Sequence, residues 1–89
     1  MKTHILKLNE QFCEQVNCGI KTFEIRKNDR DFRVGDRIKF KAVNDAGEHI
    51  YHPINNKEFI ISYILSGWGL QDGYVAMSIE RLGIRHEKA

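Results

Sequence analysis

The first nine residues, "MKTHILKLN", carry a short apolar run with β-branched members over Thr3–Asn9, which predicts a first strand. Asn9 is a good helix N-cap, and Glu10 and Glu14 follow it with an apolar stripe of Phe12, Cys13 and Val16. Leu8, before the cap, is placed to staple onto Cys13 at the fourth helical position. Gly19 is the natural stop, since glycine enters the left-handed conformation without a Cβ penalty. The pattern therefore predicts a helix of about two and a half turns.

From Thr22 the period becomes two. Phe23 and Ile25 alternate with Thr22, Glu24 and Arg26, giving one apolar and one polar face. "FRVGD" reads as a turn, and "RIKFKAV" as a strand with Ile38, Phe40 and Ala42 inward and Arg37, Lys39 and Lys41 outward. "NDAGEH" is a hairpin loop leading to a short edge strand "HIYH" closed by Pro53. In "NNKEFIISYILSG", Phe59, Ile61, Tyr63 and Leu65 share one face, with Ile60 and Ile64 on the other. "GWGLQDG" is a loop, "YVAMSIERLG" a last strand with Val75, Met77 and Ile79 inward, and "IRHEKA" a fraying tail. One helix cannot supply the crossovers of a doubly wound sheet. The expected architecture is α+β and mainly β: a small mixed barrel of five to six strands, with the helix after the first strand plugging one opening.

Length agrees with one domain spanning residues 1–89, because two would each be too small to bury a useful core. A hydrophobic content of 42% and a charged content of 29% are ordinary for a globular protein. No apolar run approaches the ~20 residues that span a bilayer, and the N-terminus lacks the apolar core of a secretory leader. A cytoplasmic protein without a membrane partner is expected. Cys13 and Cys18, five residues apart on a helix at about 100° per residue, point roughly 140° apart, which disfavours a disulfide. With His49 and His52 they give C-x4-C and H-x2-H spacings that miss the usual zinc pattern, so no metal or cofactor is expected.

Charge changes the picture through its distribution. The net formal charge is +2, but Lys21–Lys41 holds eight basic and four acidic residues. A basic stripe of this kind is the footprint of phosphate contacts. At its start, Gly19, Lys21, Glu24 and Arg26 read as G-x-K-x-x-E-x-R. Glu24 and Arg26 share a strand face, whereas strict alternation would put Lys21 opposite them unless it still belongs to the turn. As a ligand site, Lys21 and Arg26 would donate to an anion or a base edge, while Glu24 orients them or accepts from an amino group. Lys27 and Arg30 would add phosphate contacts. The ordinary alternative is a solvated ion pair worth ~0–1 kcal/mol. Trp68, between two glycines, either stacks on a base or folds back to seal the barrel end. Tyr51, Tyr63 and Tyr74 read as core or cross-strand packing, and the four histidines show no triad spacing. Asp29 and Asp31 read as turn-capping residues.

The motif after a short helix, followed by V-G-D (Val34, Gly35, Asp36) opening a strand, resembles the ASCH (activating signal cointegrator homology) domains of the PUA-like superfamily. "GIKTFEIRKNDRDFRVGD" and "GLQDGYVAMSI" are similar to a small bacterial and phage-borne subfamily of unknown function, and the likeness covers nearly the whole chain. It implies a PUA-like barrel with a cleft beside the helix and a role in RNA or nucleotide binding, with Gly19, Lys21, Glu24 and Arg26 as the matching residues. One branch of similar size acts as an amidohydrolase on acylated cytidines, using the motif lysine, a threonine where this chain has Glu24, and a distant glutamate. That pattern is not reproduced, so binding is preferred over catalysis, with Lys21 and Glu24 the acid–base pair if the protein is an enzyme. A third reading is an interaction domain that pairs a partner strand with the "HIYH" edge.

Overall fold

The computed structural model describes residues 1–83. Its strands are β1 (Thr3–Asn9), β2 (Phe23–Lys27), β3 (Arg37–Val43), β4 (Glu58–Ser66) and β5 (Tyr74–Arg81). A single α-helix, α1 (Glu10–Asn17), follows β1, and a short 3-10 helix spans Pro53–Asn56. The strands form one sheet in the order β1-β3-β4-β5-β2, curled into a half-barrel. β1 runs parallel to β3, and the remaining pairs are antiparallel. The fold is the mainly-β α+β class expected of the pattern.

Capping residues fix the ends of α1. Asn9 Oδ1 accepts the Gln11 backbone N–H at 3.0 Å, which satisfies one of the orphan donors at the N-terminus. At the other end Gly19 has φ +85°, its N–H donates to Val16 O, and Ile20 N–H donates to Gln15 O. These two bonds are the pair that defines a Schellman turn. Cys13 and Val16 face the concave side of the sheet and pack with Leu6, Leu8, Phe40, Met77 and Ile79. Burying such side chains is worth about 1.5–3 kcal/mol each, the main favourable contribution to this fold.

The structure corrects several readings of the pattern. "HIYH" forms no strand: one isolated bridge joins Val43 to His49, and the chain then enters the 3-10 helix, whose cap is His52 Nδ1 accepting from Ile54 N–H. In β4 the register slips between Ile61 and Tyr63, so the strand changes face at Ser62. A bulge adds one residue against its partner and inverts all that follows. Tyr63 and Leu65 therefore pair outward with Ser78 and Ala76, and Ile64 turns inward opposite Met77. Tyr63 is 61% exposed, and Tyr51 is exposed as well, so neither is core. Phe12 sits on the solvent-accessible side of α1 rather than in its buried stripe. The reading of "IRHEKA" as a tail concerns residues outside those described.

Candidate functional site

The strand parity of β2 is the reverse of the hydrophobic-in default. Glu24 opposes the buried Met77 and is itself 3% exposed, while Phe23 and Ile25 face out, 47% and 51% exposed. A carboxylate taken from water is expensive unless it is paired. Glu24 is paired twice: Lys21 Nζ donates to Oε1 at 2.6 Å and Arg26 Nε donates to Oε2 at 2.8 Å.

Lys21 reaches the carboxylate because it still belongs to the helix end. Its backbone N–H donates to Gln15 O at 2.9 Å, alongside that of Ile20, and β2 begins only at Phe23. Residues outside the pleat are free of its alternation, so Lys21 and Glu24 meet despite their odd separation. The ammonium also donates to Phe23 O at 2.7 Å and lies 4.8 Å from the Phe23 ring centroid and 5.4 Å from that of Phe12. Both distances are within reach of a cation–π attraction.

β1 and β2 are the two edges of the sheet, and arginines span the gap between them. Arg26 Nη2 donates to Lys7 O at 2.6 Å, and Arg30 Nη1 donates to Ile5 O at 2.9 Å. Between these edges and α1 lies a cleft of about 490 Å³ whose lining includes Lys7, Phe12, Lys21, Phe23, Glu24 and Arg26. Two cations and one carboxylate leave the group with a net positive charge. Among the described residues, two of the three ammonium protons on Lys21 and two of the five guanidinium N–H groups on Arg26 are engaged. The rest are available to a ligand's acceptors.

Not every candidate from the sequence joins this cleft. Lys27 is exposed on the outer face of β2, and Arg30 lies at the β1–β2 seam. Trp68 is 90% exposed at φ +53°, so it does not seal the barrel end, and it is not among the cleft residues. Gly35, at φ +96°, makes the turn into β3 and donates to Ile61 O. Asp36 is structural: buried, it accepts from Lys2 N–H, Arg33 N–H and His4 Nε2 at 3.1, 3.1 and 2.8 Å. Burial pushes the Asp36 carboxyl up, but these hydrogen bonds and the His4 ring outweigh it and hold the group below the usual aspartate value. The sequence reading missed this pair because His4 and Asp36 are 32 residues apart, joined only by the β1–β3 pairing. Nor does the pattern single out Phe12 and Phe23 as cleft walls: it sets Phe12 in the apolar stripe of the helix and Phe23 on the apolar face of its strand.

Residues 3–79 match the family described as a domain of unknown function, DUF3850. The chain belongs to that family. The DUF3850 match takes in all of β1 to β4, the cleft residues and most of β5. In three dimensions the domain is similar to the crystal structure of hypothetical protein PH0355, with a TM-score of 0.58 at 18% identity, over 92% of this chain and all of that one. At that identity the likeness concerns the fold. No curated protein matches the chain. No helix among the described residues is long and apolar enough to cross a membrane.

Proposed function

We propose that this domain is an RNA- or nucleotide-binding module of the ASCH, PUA-like kind, holding one nucleotide in the cleft between β1, β2 and α1. The observation that carries the reading is the inverted face of β2, with a buried Glu24 gripped by Lys21 and Arg26 while Phe23 and Ile25 face solvent. A strand serving stability alone would do as well with apolar residues inward, because replacing a buried ion pair by well-packed hydrophobes is often neutral or favourable. The charged group is instead built at the floor of a cleft. Its roles follow from its unused donors. Lys21 and Arg26 donate to phosphate or base-edge oxygens, Glu24 holds both cations in place and accepts from an exocyclic amine, and the Phe12 and Phe23 rings offer apolar surface to the base.

The test is titration of nucleoside monophosphates and of a short RNA into the wild type and Lys21→Ala, followed calorimetrically. Lys21→Ala is expected to lose about tenfold or more in affinity, the size of one charge-assisted hydrogen bond. Unchanged affinity in a folded variant would remove the cleft from the account. A second reading rests on the 2.6 Å contact between Lys21 Nζ and Glu24 Oε1, which also suits the acid–base pair of a small amidohydrolase acting on a modified nucleoside. Release of free acid from a panel of acylated nucleosides, lost in Glu24→Gln, would support that reading; a panel without turnover would reject it.

A further inference from the structure

The outward faces of β1 and β3 carry four cations, of which Lys7 alone also lines the cleft. The parallel register sets Thr3 opposite Arg37, Ile5 opposite Lys39 and Lys7 opposite Lys41. All of these side chains are exposed, while the alternate residues Ile38 and Phe40 are buried. Lys7 and Lys41 are thus like charges at directly opposed positions, an arrangement that destabilises a sheet. Arg37, Lys39 and Lys41 follow one another at two-residue steps of roughly 6.6 Å. Among the described residues, no carboxylate lies within salt-bridge distance of any of these four cations. Glu58, half-buried on β4, faces Lys39 from across the ladder without pairing with it.

β3 lies between β1 and β4, so Lys39 and Lys41 do not serve to protect an open sheet edge, whereas Lys7 stands on the edge strand β1. They flank a groove of about 320 Å³ whose lining includes Ile5, Lys39, Lys41, His49, Ile50 and Asn55. Lys7 connects the two regions, because it lines the Lys21–Glu24–Arg26 cleft and is also the register partner of Lys41. A polyanion laid on this face would relieve the repulsion between opposed cations and continue into the cleft.

We propose that the outer face of β1 and β3, from Arg37 through Lys39 and Lys41 to Lys7, is a track for the sugar-phosphate backbone of a nucleic-acid strand. The inference rests on the reading of the cleft as a nucleotide site, and it makes the ligand a strand whose one nucleotide occupies the cleft. The salt dependence follows from counterion release: each phosphate neutralised on a single strand contributes about −0.7 to the slope of log K against log salt.

The experiment measures fluorescence anisotropy of a labelled single-stranded RNA of roughly ten nucleotides, with DNA of the same sequence in parallel, across a salt series. The wild type is compared with K39E/K41E and with the milder K39Q/K41Q, both folded by circular dichroism. A nucleoside monophosphate is titrated into each by calorimetry. The track predicts that K39Q/K41Q weakens oligomer binding by about tenfold or more and flattens the salt slope by about 1.4, with K39E/K41E weaker still. Affinity for the monophosphate stays at the wild-type value in both variants. An oligomer affinity and slope unchanged in both variants overturns the proposal, as does a wild-type protein that binds neither RNA nor DNA. The two readings separate cleanly: oligomer binding that needs Lys39 and Lys41 without any monophosphate binding keeps the track and rejects the cleft. Monophosphate binding that needs Lys21, with oligomer binding indifferent to Lys39 and Lys41, does the reverse.

Discussion

Arg26 on β2 donates to the Lys7 carbonyl on β1 at 2.6 Å and so joins the two edges of the half-barrel. The same guanidinium holds the Glu24 carboxylate through Nε. Seam and candidate site therefore share one residue, and whatever binds in the cleft bears on the closure of the barrel.

Replacing Arg26 separates this contact from its neighbour at the seam. Arg26→Ala leaves the buried Glu24 with Lys21 alone and the Lys7 carbonyl open. The expected loss is about 1–3 kcal/mol, less than for a fully buried pair because Arg26 is partly solvated. Arg30→Ala removes one bond from an exposed side chain and is expected to cost about 0–1 kcal/mol. Urea unfolding of the two variants checks this order; equal losses would deny Arg26 its double role.

Acid sensitivity should trace to Asp36. Its folded-state pKa lies below the unfolded value, near 4 for an aspartate, so its contribution is complete above that value. It is lost as the pH falls through the unfolded pKa towards the folded one. Unfolding free energy measured from pH 6 downwards should therefore drop in that window for the wild type and drop less steeply for Asp36→Asn. Parallel curves would show that the carboxylate is not the group responsible.

The two thiols should behave differently. Burial, and then the nearby Glu10 charge, push the Cys13 thiol up, and the side chain is fully enclosed, whereas Cys18 is exposed at the end of α1. A thiol reagent at mild alkaline pH should label Cys18 rapidly in the native protein and Cys13 only on unfolding. Rapid labelling of both would mean that the packing of α1 on the sheet opens easily.

Much of this fold is legible in the residue pattern, because β1, α1 and β3 each announce themselves by period and cap. Asn9 and Gly19 bracket the helix, and β3 alternates cleanly from Arg37 to Ala42. What the pattern conceals is relational. Alternation in β2 yields two faces without saying which one is buried, and here the paired Glu24 reverses the usual choice. A single bulge at Ser62 reassigns Tyr63, Ile64 and Leu65, and no residue type there announces it. Lys21 joins Glu24 because backbone bonds to Gln15 keep it in the turn, a detail of the cap beyond the reach of periodicity. His4 and Asp36 meet through strand pairing, so the V-G-D motif marks Asp36 in the sequence without showing its partner.

The central claim, that the cleft around Lys21, Glu24 and Arg26 receives a nucleotide, is tested most directly by backbone amide chemical shifts recorded during titration with a nucleoside monophosphate. The account predicts saturable shifts concentrated at Lys7–Asn9, Phe12 and Lys21–Arg26, needing about tenfold or more nucleotide in Lys21→Ala, with the loop around Trp68 unmoved. Shifts confined to other parts of the sheet, or none at millimolar nucleotide, would contradict it.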